Sequence, residues 1–338
     1  MSLSSARPGE SRARGEDASA GARAANRPQR VAVIGAGPVG QVVAAHLLSG
    51  GHEVVLIDVS ATIRDEVNRR GITLTGAIDL KIEAPVAAAA GIEEVADEAL
   101  DLVVLAVKAP ILPLVCSALK DATAPRTTVL SWQNGIDTER SVARYIEAER
   151  VVRGVVNYGV SVTHQGSVRV VFHHPPHFVK EYDDAGRPRA EAVAALFAAC
   201  GLETRRAEDL VGMVWKKAIL NAGLNALCAL TGLDMASAWH DSYAADLARK
   251  IMQEGIRVAR SNEIFVGWDY YRWAQDYLAS AGPHKPSMLV DREAGRISEI
   301  DFINGKIVEY GEFSGVPTPY NETILRLLKA IEAKEQQG

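Results

Sequence analysis

A parallel α/β domain followed by an all-helical domain is the fold that the sequence predicts, on three observations. Up to about residue 207, short β-branched runs alternate with helical patterns; beyond it, long helical patterns follow one another without strands. The third observation is a glycine-rich turn, Gly35-Ala36-Gly37-Pro38-Val39-Gly40, set between the first strand pattern and the first helical pattern. Strand, glycine turn and helix in that order mark the phosphate-binding corner of a Rossmann-type dinucleotide-binding domain. The expected organisation is a disordered tail over residues 1–28, a Rossmann-like domain over 29–207 and a helical substrate-binding and catalytic domain over 208–338.

Bulk properties exclude several functions. A chain of 338 residues with 48% apolar content suits two globular domains in solution. Its net charge of −5, with no basic run beyond short pairs such as Arg205-Arg206, argues against nucleic acid as a partner. No stretch approaches the ~18 uninterrupted apolar residues of a membrane span, so no membrane contact is expected and the chain is placed in the cytoplasm. Cys116, Cys200 and Cys228 stand singly in apolar segments without metal-type spacing and read as reduced core residues. The tail lacks the apolar run of a secretory signal, and Glu10, Glu16 and Asp17 weigh against a transit peptide.

The first strand is Arg-Val-Ala-Val-Ile, residues 30–34, and the helical pattern after the turn runs from Gln41 to Leu48. Gly35 permits the tight turn, Gly37 lets the backbone approach a pyrophosphate, and Gly40 lets the helix pack on the strand, while the helix start offers free N–H groups to phosphates. The second strand, residues 53–57, ends in Asp58, where an acidic residue grips the adenosine ribose. Such a carboxylate accepts from ribose hydroxyls and repels a 2′-phosphate, favouring NAD over NADP; Arg64, one turn further on, is placed to meet such a phosphate, so the cofactor is NAD or NADP with a lean to NAD. The alternative for Asp58 is an N-cap of the next helix, with Ser60 as rival cap.

Residues 101–107 and 127–131 read as strands buried on both faces. Lys108 and Gln133-Asn134-Gly135 follow at their carboxyl ends and so point to the cofactor cleft, the alternatives being a solvated loop charge and an ordinary turn. Residues 151–179 alternate with β-branched side chains and predict two or three strands that extend the sheet with antiparallel pairing. His173, His174 and His177 cluster there, but no carboxylate or cysteine joins them at ligand spacing, and Pro175-Pro176 reads as an exposed turn, so no metal is expected.

The second half predicts helices over 209–230, 242–261, 268–280, 299–313 and 319–333. In the first of them Lys217, Asn221 and Asn225 recur every four residues and form one polar line on an otherwise apolar helix. Either this is the solvated edge of a surface helix or it is where the chemistry sits. Lys216 lies about 100° round the helix and faces water. Further on come Ser287-Met288, then Ser298-Glu299-Ile300-Asp301 leading to Asn304-Gly305.

Taken together with the glycine turn, Val107-Lys108-Ala109, Gln133-Asn134-Gly135, the Trp-x-Lys-x-x-x-Asn-x-x-x-Asn helix and the closing Gly315-Val316-Pro317-Thr318-Pro319-Tyr320-Asn321, these pieces resemble the ketopantoate reductase (2-dehydropantoate 2-reductase) family over about residues 29 to 335. The resemblance implies reduction of a small 2-keto acid with a nicotinamide cofactor. It makes Lys217 the catalytic acid and Glu299 a partner for substrate and lysine, with Asn221, Asn225 and Ser287 holding substrate. Asn134 and Lys108 then line the cofactor side, Asn134 counting among the substrate-holding groups as well. An ammonium aimed at the carbonyl oxygen suits this role, because negative charge grows there as hydride reaches C2.

The alternatives are a helix cap for Ser287, a surface helix-terminal charge for Glu299, and a structural ion pair between Lys217 and Glu299. Two features depart from the family: Asp58-Val59 stands where many members carry an arginine for the NADP phosphate, and the His173-His174-Pro175-Pro176-His177 block replaces a glycine-rich strand pair. They leave open an NAD-dependent dehydrogenase of another hydroxy acid or alcohol, or a non-catalytic NAD-binding protein. Aromatic residues Trp268, Tyr270, Tyr271 and Trp273 are expected in helix packing or a subunit contact, and the apolar C-terminal helices suit a homodimer.

Overall fold

The computed structural model describes residues 27–95, 99–164 and 167–336; the expected tail lies, but for its last two residues, outside them. The chain opens with β1 (Arg30–Ile34), α1 (Pro38–Ser49), β2 (Glu53–Ile57) and α2 (Ala61–Arg70). It then makes β3 (Ile72–Gly76) and β4 (Leu80–Ile82) before rejoining the alternation at β5 (Ala87–Ala89), β6 (Leu102–Leu105), α3 (Leu112–Ala122), β7 (Thr128–Ser131) and α4 (Thr138–Val142). Strands β8 (Val151–Val155), β9 (Tyr158–His164), β10 (Ser167–His173) and β11 (His177–Glu181), helix α5 (Arg187–Ala199) and β12 (Thr204–Arg206) follow.

The main sheet has eight strands in the order β12-β11-β8-β7-β6-β1-β2-β5, parallel except where β11 meets β8. Alternate residues of its central strands enter different cores: Val31, Val33, Leu102 and Val104 pack on one face, and Ala32, Ile34, Val103 and Leu105 on the other. Strands buried on both faces read in sequence as unbroken apolar runs, which is why β1, β2, β6 and β7 are legible there.

One expectation needs correction. Strands β8 and β11 extend the main sheet, but β9 and β10 do not; they form a second sheet of order β4-β3-β10-β9, with β10 parallel to β3. The edge beside β8 is already taken by β11, so the intervening hairpin finds its partner far back in sequence.

The second half is helical: α6 (Leu210–Thr231), α7 (Met235–His240), α8 (Ser242–Ser261), α9 (Tyr270–Ala279), α10 (Ser287–Glu293), α11 (Asn304–Ser314) and α12 (Pro319–Glu335). Helix α6 starts on an Asp209 cap, whose Oδ1 accepts from the Gly212 N–H at 3.0 Å, and ends at Gly232 in the left-handed region at φ 79°. It buries Leu210, Val214, Trp215, Ile219, Leu224 and Leu227. At roughly 1.5–3 kcal/mol for each large apolar side chain, this outweighs the ~1–3 kcal/mol for each polar group carried into the same face. The apolar stripe therefore seats the helix, and the polar line is held wherever that seating puts it.

Asn304 and Asn321, both from the family-like motifs, are fully buried. Asn304 Nδ2 donates to Asn321 Oδ1 at 3.1 Å and Asn321 Nδ2 donates to Glu254 Oε2 at 2.8 Å, tying α8, α11 and α12 together. These residues build the scaffold of the helical half. No helix among the described residues is long and apolar enough to cross a membrane.

Candidate active site

The glycine turn leaves β1 beneath the start of α1. Gly35 has φ +99°, and a Cβ there would lie 2.8 Å from the Ala106 carbonyl carbon; a Cβ on Gly40 would lie 1.9 Å from the Gly35 oxygen. A Cβ placed on Gly37 meets nothing within 4 Å, so this side of the turn is open. Gly37 caps α1 without a side chain and Pro38 occupies its first turn, leaving the helix start facing the opening. These features fit a dinucleotide pyrophosphate.

Asp58 closes the corner. Its Oδ2 accepts from the Ala36 N–H at 2.9 Å and its Oδ1 from the Ser60 N–H at 2.9 Å. Ser60, whose Oγ accepts from the Ile63 N–H at 3.4 Å, is the cap of α2, so Asp58 is not. Arg64 Nη1 donates to the Asp58 carbonyl at 2.6 Å and lies beside the same point.

Across the cleft, Lys217 shares a pocket with Gln133, Asn134, Gly135, Arg153, Val155, Val214 and Ala218. Its Nζ donates to the Val156 carbonyl. Burial, and then the neighbouring Arg153, push its ammonium down to about 8, with Glu299 opposing. Asn221 and Asn225 continue along α6; Asn225 is 7% exposed. The side chains of Asn134, Asn221, Asn225 and Ser287 have no hydrogen-bond partner among the described residues. Ser287 opens α10, where Pro286 is the cap residue and no side chain caps the helix, so the capping alternative does not hold.

Lys108 and Glu299 meet from opposite halves. Lys108 Nζ lies 2.6 Å from Asp291 Oδ2 and 3.9 Å from Glu299 Oε2, and Glu299 Oε1 accepts from the Ala109 N–H at 3.4 Å. Burial alone would lower Lys108, but Glu299 and Asp291 outweigh it and hold the ammonium above its usual range. Burial raises the Glu299 carboxyl against the pull of Lys108. Glu299 is 4% exposed, so it is no surface charge. The structural ion pair considered for Lys217 and Glu299 is not formed: the lysine bonds a peptide carbonyl and the carboxylate turns to Lys108 and Ala109.

Three contributors have no role assigned from the sequence. Arg153, on β8 and 4% exposed, donates from Nη1 to the carbonyls of Ser131 (3.1 Å), Gln133 (2.8 Å) and Gly154, and from Nη2 to Gly135 (2.9 Å). It thereby fixes the turn that carries Asn134, with Glu139 Oε2 3.2 Å from its Nε. An arginine in a valine-rich strand was the available signal. Asp291, 2% exposed, binds Lys108 and Arg296. The third is the Val156 carbonyl, which as backbone leaves no trace in sequence. Lys216 does not line the pocket; its carbonyl accepts from the Tyr270 hydroxyl. Tyr270 stacks with Trp273, which stacks with Tyr277, while Trp268 is 82% exposed.

Two halves meet at one cleft, the first with a corner for a dinucleotide and the second with a half-buried amine: this is the arrangement of a nicotinamide-dependent oxidoreductase. Comparison with known proteins narrows the class. The chain belongs to the ketopantoate reductase PanE/ApbA family, whose model matches residues 31–179 and whose C-terminal model matches residues 209–332. The 2-dehydropantoate 2-reductase of Archaeoglobus fulgidus is 28% identical over 308 residues, covering 91% of this chain and 99% of that protein. A solved ternary structure of D-mandelate dehydrogenase with NADH and anilino(oxo)acetate has a TM-score of 0.82 at 25% identity, over 91% of this chain and 100% of that one. A PanE/ApbA family ketopantoate reductase from Ralstonia eutropha JMP134 has a TM-score of 0.80 at 29% identity, over 91% and 100%.

Proposed function

We propose that the chain reduces a 2-keto acid to its 2-hydroxy acid, with 2-dehydropantoate to pantoate the leading reaction and Lys217 the proton donor. The observation that carries this reading is the half-buried Lys217 ammonium in one pocket with Asn134, on a helix face whose amides Asn221 and Asn225 have no hydrogen-bond partner among the described residues. A nicotinamide cofactor bound at Gly35, Gly37 and Gly40 supplies the hydride that reaches C2. As charge grows on the carbonyl oxygen, Lys217 donates its proton to that oxygen and is reprotonated from water. Asn134, Asn221, Asn225 and Ser287 bind the carboxylate and side-chain oxygens without adding charge. Glu299, near enough to influence both lysines, orients a substrate hydroxyl, and Lys108 borders the cofactor. We place the division between cofactor and substrate halves at residues 207 and 208, and a homodimer, checked by sedimentation, accompanies the reading.

Asp58 favours NAD, since a carboxylate bound to the glycine turn repels a 2′-phosphate. This observation, with the NADH-bound D-mandelate dehydrogenase as neighbour, also favours a second reading: an NAD-dependent dehydrogenase of another 2-hydroxy acid. Steady-state rates with NADH and NADPH against 2-dehydropantoate and aryl 2-keto acids separate the two. Lys217→Met is expected to abolish turnover while NADH fluorescence still reports binding. Turnover surviving in that variant refutes the assignment, and absence of turnover with any acid in the unaltered chain leaves a non-catalytic NAD-binding protein.

A further inference from the structure

The His173-His174-Pro175-Pro176-His177 block, unexplained by the family likeness, grips a single residue. Asn157 donates its backbone N–H to His177 Nδ1 at 3.0 Å and its side-chain Nδ2 to the Pro176 carbonyl at 2.8 Å, and its own carbonyl accepts from the His174 N–H at 2.8 Å. The N–H of Asn157 and the carbonyl of Val156 belong to one peptide group. Lys217 donates to that Val156 carbonyl. A planar trans peptide points its N–H and C=O in opposite directions, so His177 and Lys217 hold the same rigid plate from its two sides.

We propose that His177 is a positioning residue for Lys217: by accepting from the Asn157 N–H it fixes the rotation of the 156–157 peptide, and so the direction and acceptor strength of the carbonyl that aims the ammonium. The inference rests on the reading of Lys217 as proton donor. Hydrogen bonds in series through an amide reinforce one another, so the Nδ1 acceptor also strengthens the Val156 carbonyl as partner for the ammonium. Accepting at Nδ1 puts the His177 proton on Nε2, which is buried without a partner among the described residues. The ring itself is held: it is fully buried, edge-on to Trp132 at 6.0 Å and to Tyr158 at 5.2 Å between centroids, with His173 at 5.3 Å. Burial, with His173, Lys217 and His46 as the charged or titratable groups facing it, pushes its imidazole down to about 3. The acceptor therefore persists throughout the working range. The charged or titratable groups facing Lys217 are Arg153, Glu299 and His177.

The test compares three substitutions. An asparagine at 177 puts its Oδ1 where Nδ1 lies; a glutamine carries its amide out to the Nε2 position; a leucine offers no acceptor. His177→Leu and His177→Gln are expected to lower kcat by on the order of tenfold or more through misplacement of the donor. Their alkaline limb of kcat/KM moves to lower pH, because the ammonium loses part of its hydrogen-bond acceptor. His177→Asn restores both, and NADH affinity is unchanged in all three. A core residue without this role predicts a lower melting temperature but an unmoved limb, and that result overturns the inference, as does rescue by glutamine equal to that by asparagine. If His177→Leu does not fold, the asparagine and glutamine variants decide. Lys217→Met keeps the two levels apart: turnover there sinks the reading of Lys217, whereas an inactive Lys217→Met beside an unimpaired His177→Gln sinks only the role of His177.

Discussion

Replacing Arg153 by methionine separates geometry from charge in the pocket. The guanidinium meets four backbone carbonyls and lies 3.2 Å from Glu139. Stripping one partner from a buried, charge-assisted network typically costs about 3–5 kcal/mol, partly offset here because burial already holds Arg153 below its usual range. That is a large part of the ~5–15 kcal/mol available to a domain, so a marked fall in melting temperature is expected while the fold survives at low temperature. The catalytic effect is distinct. Lys217 must be protonated to act as acid, so reduction fades as pH rises through its value of about 8. Burial is the larger cause of that depression and Arg153 the second, so removing the guanidinium should raise the ammonium's pKa and move the alkaline limb upward. Arg153→Lys keeps the charge and should leave the limb where it is while still losing carbonyl contacts. Initial rates of NADH oxidation across the neutral to alkaline range, with melting curves alongside, measure both. A limb unmoved in Arg153→Met, or moved equally in Arg153→Lys, refutes the electrostatic argument.

Asp58→Ala should improve NADPH relative to NADH by at least about tenfold in kcat/KM, since like-charge juxtaposition costs several kcal/mol; an unchanged ratio removes Asp58 from cofactor choice. Asn225→Ala should raise KM for the keto acid by about tenfold, roughly one hydrogen bond to a charged group, with an unaltered melting curve. Asn321→Ala should do the reverse, costing about 2–4 kcal/mol in denaturant unfolding because Glu254 and Asn304 lose their partner, while KM stays put.

What the sequence makes legible follows from how locally each feature is encoded. The bounds of β1 and β2 and of α8 can be read directly, the strands as apolar runs between turn residues and the helix as a strongly amphipathic period between Asp241 and Asn262. The second sheet cannot, because β10 pairs with β3 across a long stretch of chain and neither strand names its partner. In the site, the line of Lys217, Asn221 and Asn225 is visible from spacing alone. Arg153 shows in sequence only as an arginine in a valine-rich strand, its carbonyl partners unreadable there, and His177 differs from His174 in burial, one enclosed and the other exposed on a neighbouring turn. Glu299 is recognisable in sequence as a candidate site carboxylate, and the ion pair with Lys217 held open as an alternative is not formed, because the carboxylate turns to Lys108 and the Ala109 N–H.

The two lysines of the cleft differ in what they are bonded to, and that difference bears on the proposed role of Lys217 as acid. Lys108 sits on Asp291 at 2.6 Å with Glu299 near, and its ammonium is held above the usual range; it is a fixed charge suited to facing a cofactor. Lys217 has no carboxylate within ion-pair distance among the described residues, and a peptide carbonyl holds it instead. A carbonyl aims the ammonium but brings no full negative charge, so burial and Arg153 prevail and the proton is released more readily. An acid is most effective when its pKa lies near the working pH, and a lysine at about 8 meets that condition where one paired with a carboxylate does not. On the proposed reading, two identical side chains take different roles according to what each is bonded to, and the neutral partner of Lys217 is the feature on which its role as acid depends.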